Sequence, residues 1–153
     1  MKGYPKWFVP ALIGTLVVLF ATGGLLAPTT LAVHAELPLT WRLPGPARLL
    51  CAALHAAGGF AALALVGALW ALHMRSGWRR RLQRRSGVLL ATTLMLLAVS
   101  ALAIYYAGDE RVSAAAALSH LILGVALLLP FGWHSLRGRR AARITRDSDR
   151  PTG

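Results

Sequence analysis

Charged side chains are scarce in this chain. They make up 14% of its 153 residues, whereas soluble domains carry about 25%. Acidic residues are the rarest: there are 5 Asp and Glu against 17 Lys and Arg, which leaves a net charge of +12. The arginines stand in short runs between long apolar stretches, where they act as topology signals rather than as a duplex-binding face. The sequence therefore argues against an ordinary soluble domain, and we expect no nucleic-acid partner.

Cysteine is almost absent. The single Cys51 excludes an internal disulfide, and the sequence has no C-x-x-C-H motif that could attach a c-type haem. The apolar stretches also lack a nucleophile–base pair or a carboxylate pair, because Asp109 and Glu110 fall in a predicted turn between two of them. We therefore do not expect a stand-alone enzyme.

Four long uncharged runs dominate the sequence. They are residues 7–27, 49–74, 88–107 and 112–136. Each is long enough to cross about 30 Å of hydrocarbon at about 1.5 Å per residue. Short connections between them predict an all-α membrane protein with an up-down-up-down bundle. Residues 1–140 would form this single domain, and residues 141–153 would form a flexible cytoplasmic tail. Pro130 predicts a kink in the fourth span, because a proline there leaves the carbonyl of Ala126 without its hydrogen bond.

The basic residues predict the orientation of the spans. The four-span arrangement places 14 basic residues on one side of the membrane: Lys2, Lys6, Arg75, Arg79, Arg80, Arg81, Arg84, Arg85, Arg137, Arg139, Arg140, Arg143, Arg146 and Arg150. The other side receives only Arg42, Arg48 and Arg111. Because positive charge is retained in the cytoplasm, both termini and the central loop are predicted to be cytoplasmic. The 28–48 loop is then external.

All but one of the five histidines lie in the second and fourth spans, which run in the same direction. His55 and His120 fall in the predicted outer half of the membrane, and His73 and His134 lie close to the inner arginines. At 100° per residue, the two histidines of each span share one helix face. Ionisable side chains inside a membrane are rare and usually functional. The four histidines thus form a predicted outer pair and a predicted inner pair.

Each outer histidine is followed by a glycine one turn later. Gly59 follows His55, and Gly124 follows His120 in the same His-x-x-x-Gly pattern. A missing side chain on that face leaves room for a flat macrocycle. The inner pair matches less well, because the two spacings of about 27 Å and about 21 Å differ by about one helical turn.

A haem held between histidines of two facing helices accounts for this pattern. Neutral imidazoles bind iron without bringing charge into the bilayer, and the apolar porphyrin suits a bundle interior. The hypothesis is two haems b, an outer one on His55 and His120 and an inner one on His73 and His134. Their propionates would be met by surface arginines. The candidates are Arg48 and Arg111 outside, and Arg75, Arg79 and Arg137 inside.

Two other classes of function remain open for the same residues. One is a histidine-based metal transporter or sensor, although such pathways usually add intramembrane carboxylates or sulfur ligands. The other is a membrane assembly or anchor protein without a cofactor. A visible spectrum of the purified protein separates all three.

The segments LHAAGG, ALHMRSGW, YYAGDER, SHLILG and GWHSLRGRR, between residues 54 and 140, carry a resemblance to a known group. This part of the chain resembles the four-helix di-haem cytochromes b of bacterial membranes, which include cytochrome b561-like proteins and flavinylation-associated cytochromes. The first span holds no histidine, which favours the flavinylation-associated type. The resemblance implies a multi-pass protein of the bacterial cytoplasmic membrane. It also implies a respiratory role, passing electrons between quinone or the cytoplasmic side and an external oxidoreductase or flavoprotein.

Overall fold

A computed structural model describes residues 5–70 and 84–137. These residues form four helices in chain order, namely α1 (Phe8–His34), α2 (Gly45–Leu69), α3 (Arg84–Tyr106) and α4 (Glu110–Ala126). After a turn at Leu127 the chain is helical again over residues 128–137, so the fourth apolar span is Glu110–Arg137. Each of the four spans, 23 to 28 residues long, is long and apolar enough to cross a membrane. The predicted all-α four-helix membrane architecture is confirmed.

The outer surface of the bundle is apolar. Large side chains point outward along every span, as at Phe60 (71% exposed) and Leu129 (76% exposed). A water-soluble protein rarely exposes apolar patches of this extent. In a bilayer the same surface meets acyl chains, while the helices satisfy their own backbone hydrogen bonds. The chain is therefore a multi-pass membrane protein whose helices contact lipid.

The helices do not all pack equally closely. α1 lies against α2 and also against α4, and α3 lies against α4. Within the described residues, α2 makes no comparable backbone approach to α4. The two histidine-bearing helices are thus neighbours across a space rather than a tightly packed pair.

α1 continues beyond its predicted end. The uncharged run was expected to leave the membrane at Pro28, but the helix runs through this proline to His34. Proline removes one backbone hydrogen bond, yet the apolar and small residues that follow it continue the helix inside a bundle. The connection to α2 is consequently short, residues 35–44, and Glu36 adopts a left-handed φ of 52° within it.

A capping residue marks the start of α4, and a proline explains why its regular helix ends at Ala126. The Oδ1 atom of Asp109 accepts a hydrogen bond of 3.0 Å from the backbone N–H of Val112, an N-terminal cap in the turn predicted there. Regular helix stops at Ala126 and resumes after Leu127. Pro130 has no N–H to donate to the carbonyl of Ala126, which explains the interruption.

The bundle has a loop end and an arginine end. The loop end holds residues 35–44 and 107–109, where α2 and α4 begin. The arginine end holds Arg84, Arg85 and Arg137.

Candidate functional site

His55 and His120 face each other from α2 and α4. His55 lies ten residues after the start of α2 at Gly45, and His120 lies ten residues after the start of α4 at Glu110. Both are therefore about 15 Å along their helices from the loop end. The centroids of the two imidazole rings are 6.1 Å apart, and the ring planes make an angle of 77°. The structure brings the predicted outer pair together.

The ring of His120 is held from α3 by its Nδ1 atom. This nitrogen lies 3.1 Å from the carbonyl oxygen of Leu97 and 2.9 Å from the hydroxyl oxygen of Ser100. A carbonyl only accepts, so Nδ1 carries the proton and donates it. The Ser100 hydroxyl donates its own hydrogen to Leu97 at 3.0 Å, which leaves its oxygen as an acceptor for the ring. In the neutral ring, Nε2 then presents a lone pair.

His55 is held from α1 in the same way. Its Nδ1 atom lies 2.9 Å from the hydroxyl oxygen of Thr22. Thr22 donates its hydroxyl hydrogen to the carbonyl of Val18 at 2.6 Å, so its oxygen accepts from the imidazole. His55 therefore has the same tautomer as His120, with the lone pair on Nε2.

Gly23 provides the space for the His55 ring. A Cβ atom at this position would stand 3.1 Å from Cε1 and 3.6 Å from Nδ1 of the imidazole. The neighbouring residue, Thr22, also accepts a weak hydrogen bond from the Cys51 thiol at its carbonyl oxygen, 3.5 Å away. Thr22 and Gly23 together fix where α2 places its histidine.

These residues fit a metal with two axial imidazole ligands. Two imidazoles that share one metal ion through bonds of about 2.0 Å have ring centroids about 5–6 Å apart, and the 6.1 Å observed lies at the upper end of this range. Hydrogen bonding of the second ring nitrogen to a protein acceptor is the usual support for a metal-binding histidine. Gly59 and Gly124, one turn after the histidines, have no atom within 4 Å of an added Cβ. Both therefore border open space, as do most of the described glycines.

His134 repeats the arrangement near the arginine end. Its Nδ1 atom lies 3.1 Å from the hydroxyl oxygen of Ser86 on α3, and Ser86 is fully buried. The next residue, Gly87, would bring a Cβ atom to 3.9 Å from Cε1 of His134. His134 thus packs against α3 instead of extending to the membrane surface. Its predicted partner His73, together with Arg75 and Arg79, lies outside the described residues.

The candidate propionate ligands occupy the helix ends. Arg48 and Arg111 are exposed in the first turns of α2 and α4, at the loop end. Arg137 is exposed at the arginine end, three residues after His134, and its guanidinium lies 5.4 Å from the ring centroid of Trp133. This distance is typical of a cation–π contact.

Sequence reasoning found the histidines but missed the residues that hold them. Thr22, Gly23, Ser86 and Ser100 were given no role as supports of the histidines. One sequence signal existed on α3. Ser86 and Ser100 are fourteen residues apart, the same spacing as His120 and His134 on the antiparallel fourth span.

The described residues contain no group of three or more His, Cys, Asp or Glu side chains placed to hold a metal ion. A pair of imidazoles is sufficient for a haem iron, whose four other ligands come from the porphyrin. Comparison of the chain with protein-family models, curated proteins and solved structures finds no match.

Proposed function

We propose that the protein is a haem b-containing transmembrane electron-transfer protein, in which His55 and His120 would hold one haem. The observation that carries the proposal is the 6.1 Å separation of two imidazoles whose Nδ1 atoms are both held by hydrogen bonds. Two neutral rings that share a metal through Nε2 account for both features.

The residues of the chain would bind and orient the cofactor. Nε2 of each histidine would ligate the iron, and the open space beside Gly59 and Gly124 would admit the macrocycle. Arg48 and Arg111 are the proposed partners of the propionates at the loop end. A bound haem would supply a one-electron couple.

A second haem is proposed at the arginine end, on His134 and His73. What supports it is the hydrogen bond of 3.1 Å that holds the His134 imidazole against Ser86. Arg137 and Arg75 are the proposed propionate partners on this side. Haems at both depths would connect the two faces of the membrane, so two haems per polypeptide is the expected count.

The proposed surroundings follow from the resemblance to di-haem cytochromes b. The membrane would be the bacterial cytoplasmic membrane, with both termini cytoplasmic. Electrons would pass between quinone or the cytoplasmic side and an external oxidoreductase or flavoprotein. The protein would act as an electron-transfer subunit that performs no substrate chemistry of its own.

The test is a visible spectrum of the purified protein and of single variants. The parent protein should show a low-spin, bis-imidazole haem spectrum. His55→Ala and His120→Ala should each remove the same signal, because loss of either ligand leaves that iron five-coordinate. His34→Ala is the matched control, since His34 is the last residue of α1 and belongs to neither pair. A parent protein without haem would refute the proposal, and would leave metal transport or membrane assembly as the alternatives.

A further inference from the structure

The same hydroxyl contact recurs at three histidines. The hydroxyl of Thr22 on α1 is hydrogen-bonded to His55. On α3, the hydroxyls of Ser100 and Ser86 are hydrogen-bonded to His120 and His134, respectively. In each case the hydroxyl oxygen lies 2.9 to 3.1 Å from Nδ1. The histidines stand on α2 and the fourth span, whereas every hydroxyl stands on the preceding helix of the chain. This hydrogen bond occurs three times, at two depths of the bundle, which indicates that it has a specific role in orienting the imidazoles.

The residue types argue in the same direction. Thr22 is only 8% exposed and Ser86 is fully buried. Valine or alanine would fill these positions in a membrane helix without burying a polar atom, and a buried hydroxyl is tolerated only where it is hydrogen-bonded. At Thr22 and Ser100, the hydroxyl hydrogen is bonded within the residue's own helix. This direction of donation turns the oxygen toward the ring as an acceptor.

We propose that Thr22 and Ser100 are positioning residues that lower the reduction potential of the haem between His55 and His120. Thr22 fixes the Nδ1–H tautomer of His55, and Ser100 adds a second acceptor to the Leu97 carbonyl that already fixes the tautomer of His120. The proposal rests on the proposed function. A hydrogen bond from Nδ1–H to an acceptor makes the imidazole a stronger electron donor at Nε2. Stronger donation favours the oxidised, ferric form of the iron. Losing the acceptor should therefore raise the potential.

The chain offers a closely matched control. Thr93 on α3 is 8% exposed, like Thr22, and its hydroxyl donates to its own helix at Leu89, 2.9 Å away. Both threonines thus share burial and a backbone hydrogen bond, and only Thr22 contacts an imidazole. Any effect of removing a buried hydroxyl as such should appear in both Thr22→Val and Thr93→Val.

The experiment compares four variants of the full-length protein in detergent by redox titration and by electron paramagnetic resonance. Thr22→Val should raise the midpoint potential of the haem on His55 and His120 and change its low-spin signal. Ser100→Ala should raise the potential by less, because the Leu97 carbonyl still accepts a hydrogen bond from Nδ1 of His120. Thr22→Ser keeps the hydroxyl and should restore the parent values, and Thr93→Val should leave them unchanged. Equal potentials and signals in Thr22→Val and the parent would overturn the proposal.

Other outcomes are equally decisive. If Thr22→Val loses the haem, retention by Thr22→Ser supports the role of the hydroxyl, and loss in both variants overturns it. If Thr93→Val shifts the potential as much as Thr22→Val, the effect is one of buried polarity and the proposal fails. Absence of haem from the parent protein would instead refute the proposed function, so the two failures are distinguishable.

Discussion

At the scale of single residues, Gly23 lies where any side chain would press against the His55 ring. The space that a Cβ atom would need is already taken by Cε1 of the imidazole, 3.1 Å away. The ring cannot retreat easily, because its Nδ1 atom is bonded to Thr22 on the same helix as Gly23. The position of the imidazole is therefore determined jointly by a hydrogen bond and by a missing side chain.

This contact predicts the effect of one added methyl group. Gly23→Ala should push the His55 ring away from its present position, lower the haem content and destabilise the protein by about 1–3 kcal/mol, as overpacking usually does. Gly87→Ala is the control, because its Cβ atom would meet His134 at an ordinary 3.9 Å. Haem per polypeptide and denaturation in detergent measure the two effects. Equal behaviour of the two variants would contradict the prediction.

The sequence identified the ligands but not their supports, and the reason is chemical. A histidine in an apolar span is conspicuous because an ionisable group in a membrane is costly. Serine, threonine and glycine are ordinary in such spans, since their hydroxyls can bond to their own helix and small residues allow close packing. Only the structure shows that Thr22, Gly23 and Ser100 lie against imidazoles.

At the scale of helices, the uncharged runs predicted four spans, and the observed helices extend beyond several of these runs. Pro28 looked like a stop, yet α1 continues to His34, because neighbouring helices and lipid favour helix over exposed backbone. α2 begins at Gly45, four residues before the predicted start, and α4 at Glu110, two residues before. These shifts put His55 and His120 at equal distances from their helix starts, which the uncharged runs alone did not show.

The break at Leu127 is the element-scale feature that bears on the second histidine pair. Pro130 interrupts the fourth span between His120 and His134 and so changes how His134 is directed toward α3. Pro130→Ala should restore the missing hydrogen bond to Ala126 and straighten this span. We expect the haem count to fall from two to one, with the haem on His55 and His120 retained. Quantification of haem per polypeptide, with Pro28→Ala as the control, measures this.

A count that Pro130→Ala leaves at two would mean that the second site does not depend on the bend. A loss of both haems would mean that the bend supports the bundle as a whole. Pro28 is a suitable control because it also lies inside a helix, but six residues from Thr22, on the side of the loop end.

At the scale of the whole molecule, the distribution of charge predicts the orientation in the membrane. Fourteen basic residues are assigned to one face and three to the other, so residues 35–44 should be external. Single cysteines at Thr40 and at Gln83, each in a Cys51→Ala background, should react with an impermeant reagent from opposite faces of sealed vesicles. Labelling of both from one face would contradict the four-span topology.

The pairing of supports with ligands has a consequence for biogenesis. His55 is held by the helix that precedes it, and His120 and His134 are held by the helix that precedes them. Each helical hairpin, α1 with α2 and α3 with the fourth span, therefore carries its own oriented histidines as it enters the bilayer. The packing of α1 against α4 already joins the two hairpins. The proposed haem would add a second connection, because α2 approaches α4 through the imidazoles rather than through close backbone packing. In cells depleted of haem, we expect the protein to keep both hairpins but to pack them less tightly against each other. Quality-control proteases would act on this form.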